Sequence, residues 1–532
     1  MAAALLWTAL AVPAPAQDLL RTDTGATGAG FGRAASAGDV DGDGHEDLIT
    51  GAPHESVDAG KARVFSGANG SVLFTFSGSA AGDLFGSSCA GAGDVNADGH
   101  DDLIVGAPQT NVVLGRGYAR IFSGADGSVL RTLNGAAAGD RFGAAVAGAG
   151  DLNGDGKDDV IVGAPQNDTG GANGGTAVAF SGATGNVLYT ANGTAGQNLG
   201  GSLGCGLPDA VSDDEPDVII GLTMEGGDRS GAVQVRSRTN FSLRFTLTGQ
   251  AGQRLGATVA PAGDINGDHV VDLLAATDPR DALGLPTAAA QVRLYSGLDG
   301  ALLATLSDGA LGTGYGSALA ALGDVTGDDV PDFAVGEPGH DGKGLDAGSV
   351  RIYSGQSGKT WYQILGPAAG AGFGTSVACG GDLNADGLPD CAIGAPGGAL
   401  TAGHVYSLSV TRWEELGNGL PGIAGVPRLT GVGGLVASSE AELTLTDAAP
   451  GTLATLVLGY TLTIDPATST LTPSPDIVVT GLVTSGSGSL VFSFAWPAGV
   501  PSGTTVYHQF RISDPTAPQG QSRSNTVAAL VP

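Results

Sequence analysis

The sequence predicts an all-β chain: a seven-bladed β-propeller followed by a C-terminal β-sandwich-like domain. Three observations predict it. An acid-rich segment recurs seven times, beginning at Asp39, Asp94, Asp151, Asp209, Asp264, Asp324 and Asp382. Each copy follows an aromatic or leucine next to glycine: Phe31-Gly32, Phe85-Gly86, Phe142-Gly143, Leu199-Gly200, Leu255-Gly256, Tyr315-Gly316 and Phe373-Gly374. These pairs are 54 to 60 residues apart, a period that marks a repeat architecture. Beyond about Arg412 the period stops, and short alternating runs such as Glu442–Thr446 and Leu490–Phe494 lie between Pro/Gly turns, as sandwich strands do. The expected boundaries are 1–16 for an export signal, 17–411 for the propeller and 412–532 for the C-terminal module.

Ala2 to Val12 is mostly apolar, and Ala14-Pro15-Ala16 fits a small-residue cleavage site before Gln17. No other stretch approaches the roughly 20 apolar residues of a membrane span. The expectation is therefore a secreted, extracytoplasmic protein. Lys plus Arg number 23 against 53 acids, a net charge of -30. Such a surface has little to offer nucleic-acid phosphates or an anionic membrane.

The second repeat illustrates one blade. A small-residue strand, Ser87 to Gly91, enters the acidic loop. Leu103-Ile104-Val105 is an apolar run suited to a strand buried on both faces. Tyr118 to Phe122 alternates, a Gly-Ala-Asp-Gly turn reverses the chain, and Val129 to Leu133 returns it. Four strands joined as a meander make a blade, and seven blades in a ring make a propeller. Leu19-Leu20-Arg21-Thr22 precedes Phe31-Gly32 as Val129 to Thr132 precedes Phe142-Gly143. It therefore reads as the missing fourth strand of the last blade, a latch that removes an open sheet edge.

Within each nine-residue loop, side chains at positions 1, 3, 5 and 9 and the carbonyl at position 7 can surround one hard cation with oxygens. The first loop offers Asp39, Asp41, Asp43, the His45 carbonyl and Asp47. The second offers Asp94, Asn96, Asp98, His100 and Asp102, and the third Asp151, Asn153, Asp155, Lys157 and Asp159. The fifth offers Asp264, Asn266, Asp268, Val270 and Asp272, and the sixth Asp324, Thr326, Asp328, Val330 and Asp332. The seventh offers Asp382, Asn384, Asp386, Leu388 and Asp390. In the fourth, Val211 stands at position 3 and cannot ligate, so that loop is expected to be empty or weak. Gly at position 6 permits a sharp turn; His269 and Asp329 replace it in loops five and six, which should weaken them.

Asp, Asn and Gly also favour plain turns. Six loops with acids at the same offsets instead point to Ca²⁺ at about six sites, because unneutralised carboxylates so close repel one another. Mg²⁺ fits less well, since it keeps water ligands. An EF-hand would need an acid at position 12, which here is Thr50, Val105, Val162, Ala275, Val335 and Ile393. Cys379 and Cys391 flank the seventh loop on strands that should be antiparallel, a geometry open to a disulfide. Cys89 and Cys205, in different repeats, read as small buried apolar residues.

The aromatic-Gly pair, the acidic loop and the Gly-Ala-Pro that follows resemble the FG-GAP repeat of integrin α-subunit propellers. Gly-Ala-Pro is intact at 51–53, 106–108, 163–165 and 394–396; blade six has Gly336-Glu337-Pro338, and blades four and five depart further. The resemblance covers about residues 18–411. It implies calcium loops on one face of the ring and ligands bound elsewhere, often on the opposite face. The C-terminal stretch bears a weaker likeness to a module of secreted bacterial repeat proteins. No constellation of catalytic residues stands out: the seven His are scattered, and the recurring carboxylates belong to the loops. The reading is a non-enzymatic, calcium-binding adhesion or interaction scaffold, expected to be a monomer, with an extracellular protein or glycan as partner. The alternatives are a carbohydrate-active enzyme resembling the polysaccharide lyases that use calcium propellers, and a purely structural envelope protein.

Overall fold

A computed structural model describes residues 18–109, 115–205, 218–223, 227–238, 240–281, 283–326, 328–383, 389–398, 401–409, 413–415, 428–433, 440–446, 448–459, 462–464, 471–473, 477–485, 487, 489–495, 505–513, 521–524 and 527–530. The export-signal segment lies outside these residues. One compact unit spans Leu19–Val410, and most of a second is drawn from Thr411 onward.

The first unit contains, among the described residues, seven four-stranded antiparallel sheets. In blade two the strands are Ser88–Gly93, Asp102–Ala107, Tyr118–Phe122 and Val129–Asn134, close to the sequence expectation. The second strand of the blade is buried at every position, as in Asp47–Ala52, Asp102–Ala107, Asp159–Ala164 and Asp390–Ala395. Neighbouring blades sandwich it, so both of its faces meet apolar side chains. The fourth strand is the outer edge and is largely exposed; Val72, Val129, Val187 and Leu302 stand at its start in four blades. The aromatic of each aromatic-Gly pair packs between blades. Phe85, for example, joins Val105 of its own blade and Val64 of the blade before in one apolar cluster.

Blade seven takes its outer strand from the N-terminus: Asp18–Thr27 lies beside Ala402–Ser409, in the order first strand, Ala402–Ser409, Asp390–Ala395, Ser376–Gly381. The latch is longer than the sequence suggested. Arg21 ties it to blade one, its Nη1 donating to the Ser66 carbonyl (2.8 Å) and its guanidinium lying over Phe65.

Cys379 and Cys391 are directly opposed in the register of blade seven and are bonded. Cys89 and Cys205 are free and half-buried rather than fully buried, because the first strand of each blade lines the inner wall of the ring. Burial pushes both thiols up to about 12.

Blade six carries a buried acid where blades one, two, three and seven carry alanine. Glu337 accepts from Ser349 Oγ (3.0 Å) and Arg351 Nη2 (3.3 Å). Burial, with Asp308 facing it, pushes its carboxyl up to about 7. Arg351 opposes that rise, and His340 and the Tyr315–Tyr353 pair are the other titratable groups at this knot. A carboxyl whose folded pKa exceeds its unfolded value stabilises the fold at low pH, and that contribution is lost as pH rises from about 4.5 to about 7. With calcium saturating, the unfolding free energy should therefore fall by about 1–3 kcal/mol between pH 5 and pH 8. Glu337→Gln should remove most of that slope in thermal unfolding, and an unaltered slope would refute the assignment.

In the second unit, Arg428–Gly433, Glu440–Thr446 and Leu490–Ala495 form a three-stranded sheet, while Leu453–Gly459 and Thr505–Ser513 belong to a larger one. Leu429, Leu443 and Leu445 of the first meet Leu456, Phe510 and Ile512 of the second in one core. Two sheets facing across an apolar layer make a sandwich-like domain. Among the described residues no helix is long and apolar enough to cross a membrane.

Candidate metal centres

The acidic loops join the first and second strands of each blade, at the end away from the aromatic-Gly and Gly-Ala-Pro segments. Their backbone is folded by their own carboxylates. The position-1 acid accepts the N–H groups that follow it: Asp39 takes those of Gly42, Asp43 and Gly44 at 2.8–3.0 Å. Asp94, Asp151 and Asp264 take the same three positions in their loops. Asp324 takes the N–H groups of Asp328 and Asp329. The position-5 acid accepts the N–H of position 7: Asp43 from His45, Asp98 from His100, Asp155 from Lys157, Asp268 from Val270 and Asp328 from Val330.

Burial pushes Asp94 and Asp151 upward, but their backbone donors outweigh it and hold both below the usual carboxylate range. Position 6 keeps a left-handed backbone even without glycine: φ is 88° at Gly44 and Gly99, 68° at His269 and 63° at Asp329. The turn therefore survives those substitutions at a cost of about 1 kcal/mol each.

In the first loop, oxygens of Asp39, Asp41 and Asp43 come within 4.8 Å of one another. It is the one loop with acids at positions 1, 3 and 5; the others have Asn, Thr or, in the fourth, Val211 at position 3. In loop two Asn96 Oδ1 is a buried atom with no hydrogen-bond partner, while its amide nitrogen donates to Asp98 (2.8 Å). In loops three and five the Asn153 and Asn266 amides face Asp159 and Asp272. The donor set is all oxygen, and an orphaned oxygen lies within it; both fit a hard divalent cation.

Position 9 has a second task that sequence reasoning did not foresee. Asp47 Oδ2 accepts the Val40 N–H (2.8 Å), and Oδ1 accepts the Gly67 N–H (2.8 Å) from the turn between the third and fourth strands. Asp102 does this with Val95 and Gly124, Asp159 with Leu152 and Gly182, Asp272 with Ile265 and Gly297, and Asp332 with Val325 and Gly355. A Cβ at Gly67 would run into the Glu46 carbonyl, which explains the glycine there. Burial pushes Asp47, Asp102, Asp159 and Asp272 up to about 6 and raises Asp332.

Position 8 was also missed. Asp101 accepts the N–H of Asp39 and Asp158 that of Asp94, both at 2.9 Å, so each clasps the preceding blade. His100 adds a contact between its Nδ1 and the Val40 carbonyl (2.9 Å). In blades six and seven Pro331 and Pro389 take position 8. An acid in three blades and apolar residues in the later ones left no repeated signal to find. Of the seventh loop, Asp382 and Asp390 are described, with Asp390 accepting the Leu383 N–H (2.9 Å). Asn384, Asp386, Leu388 and the whole fourth loop lie outside the described residues.

The FG-GAP repeat family matches residues 31–65, 85–122, 142–180 and 373–408, which are blades one, two, three and seven. The chain is similar to integrin alpha-V of Gallus gallus, 33% identical over 150 residues, covering 25% of this chain and 14% of that protein. Integrin alpha-5 of Xenopus laevis is 32% identical over 144 residues, covering 25% and 14%. Integrin alpha-PS2 of Drosophila melanogaster is 35% identical over 237 residues, covering 40% and 16%. The chain thus spans 14% to 16% of the length of these relatives. A solved structure of the Dos1 propeller aligns with 69% of this chain and 75% of that one, at 14% identity and a TM-score of 0.41.

Proposed function

We propose that this integrin-α-like FG-GAP propeller is a secreted, calcium-binding scaffold that holds an extracellular protein or glycan partner without turning it over. Residues 1–16 act as an export signal, 17–411 as the scaffold and 412–532 as a sandwich module. The observation that carries the reading is the repeated oxygen-lined loop, whose carboxylates already fold the backbone around a common centre. Asp39, Asp41, Asp43 and Asp47 with the His45 carbonyl would hold the first ion, and the equivalent residues would hold ions in loops two, three, five, six and seven. A bound ion supplies charge neutralisation, and six would bring the formal charge from -30 to about -18. The chain's own part is to orient the oxygens through position-1 and position-9 hydrogen bonds. Those bonds anchor each loop to the turn beside it, so ion binding would stiffen a whole blade.

The test is a protein and glycan array probed with and without chelator, alongside a polysaccharide turnover panel. The proposal expects calcium-dependent binding and no product release. Product release from any polysaccharide would replace it with the enzyme reading.

A further inference from the structure

The junction between blades five and six is built differently from five of the others. Five blade junctions are closed by a parallel bridge between a glycine at the start of a third strand and the aromatic or leucine of the next blade. These are Gly60–Phe85, Gly117–Phe142, Gly175–Leu199, Gly231–Leu255 and Gly348–Phe373. All five glycines have positive φ, and a Cβ on any of them would collide with the facing backbone. A second glycine, just past the fourth strand, completes the stitch: the N–H groups of Gly78, Gly135, Gly193, Gly249 and Gly366 donate to those same five glycines at 2.8–3.0 Å.

In blade five both glycines are gone. Ala290 stands at the first position and Asp308 at the second, and no bridge to Tyr315 forms among the described residues. Phe85, Leu199, Leu255 and Phe373 donate their N–H across the junction at 2.9–3.1 Å; Tyr315, like Phe142, makes no such backbone bond among the described residues. Where the stitch is missing, a cleft of about 220 Å³ opens, with Ala290 on one wall and Gly314, Tyr315 and Gly316 on the other.

Its polar equipment favours an anion. Blade five has Asp278 where Gly-Ala-Pro blades have proline, and Asp278 lies between two arginines: Arg280 Nε at 2.6 Å and Arg254 Nη1 at 3.8 Å. That trio carries one net positive charge in a chain of -30. Arg280, which lines the cleft, spends Nε on Asp278 and Nη1 on the Gly284 carbonyl (3.1 Å). Its Nη2 makes no hydrogen bond among the described residues. The acid that lines the cleft is Asp278, held by the two arginines; Asp281 is turned to the N–H groups of Leu283 and Leu285, Asp308 faces Glu337, and neither of these two lines it. Leu285 and Leu311, next in sequence to the lining residues Pro286 and Gly312, and nearby Leu283 are more than half exposed.

We propose that this cleft binds a carboxylate carried by a peptide with apolar neighbours. The carboxylate sits on Arg280 Nη2 and the unstitched Tyr315 N–H, and the flanking side chains cover the leucines. The site lies at the opposite end of the strands from the acidic loops, and it goes beyond the calcium reading without resting on it.

Three probes test it in saturating calcium by ligand-observed NMR: acetyl-Leu-Glu-Leu-amide, its Gln counterpart, and acetyl-Leu-Ala-Leu with a free terminal carboxylate. A carboxylate probe should bind at least tenfold more tightly than the Gln peptide, and the two carboxylate arms decide between a side chain and a chain terminus. Arg280→Gln should remove that preference. Ala290→Gly with Asp308→Gly should restore the stitch, close the cleft and abolish binding while the melting temperature holds or rises. Equal binding of the Glu and Gln peptides, or no carboxylate binding at millimolar peptide, overturns the proposal. So does unchanged affinity in Arg280→Gln, which stands even if the double variant fails to fold.

Discussion

Stripping calcium should lower the unfolding free energy of the propeller by an amount on the order of 10 kcal/mol. A ligand bound only by the folded state contributes about 2.7 kcal/mol when present at a hundred times its dissociation constant, and six such sites accumulate to a value comparable with the whole stability of a typical domain. The loops explain the scale. In the first, oxygens of three aspartates come within 4.8 Å of one another. In four loops the position-9 acid is buried enough to be pushed up to about 6. At neutral pH these groups ionise against burial and mutual repulsion, and a bound divalent ion would offset both. Scanning calorimetry at pH 7.5 with excess chelator should show the main transition moving down by tens of degrees, or vanishing. Magnesium should restore only part of the loss, because it keeps its water shell. A transition unmoved by chelator would mean that the loops are plain turns.

Much of this was legible in the residues alone, for a physical reason. A repeat that must bury both faces of its second strand writes the same apolar run every time, as in Leu103-Ile104-Val105 and Val160-Ile161-Val162. A loop that gathers oxygens writes the same acids. The latch was visible because Leu19 to Thr22 copies the fourth-strand pattern of other blades. What stayed hidden depends on partners far along the chain. The two bonds that Asp47 makes to Val40 and Gly67 need the neighbouring turn to be in place. The clasps of Asp101 and Asp158 need the next blade. Ala290 and Asp308 look like ordinary variation until the bridges at the other junctions show what glycine does there. At position 6, His269 and Asp329 were expected to weaken their loops, and both nonetheless adopt the left-handed backbone that glycine takes in the others.

Deleting residues 18–27 should be nearly as damaging as removing calcium. The strand Asp18–Thr27 is the outer member of blade seven, and without it Ala402–Ser409 becomes an open edge. The deletion also removes the Arg21 link to Ser66 and Phe65 and the contact between Thr24 Oγ1 and His404 (3.1 Å). A loss above about 4 kcal/mol is expected, a size reserved for the loss of whole structural features. The Cys379–Cys391 bond pins only the first two strands of that blade and cannot substitute for the fourth. Size-exclusion chromatography should show self-association through the freed edge, and hydrogen exchange should show faster exchange in blade seven than in blade three. A synthetic peptide of residues 18–27 added in trans should reverse both. Unchanged stability and a monodisperse truncated chain would show that the ring closes by other means.

The most direct measurement is a calcium count on purified, dialysed protein by elemental analysis, paired with calorimetric titration of chelator-treated chain. Close to six ions per chain, fewer in variants that replace Asp39, Asp94 or Asp151 with alanine, is the predicted result. A chain that retains and takes up no calcium at millimolar concentration, while remaining folded, would contradict the account.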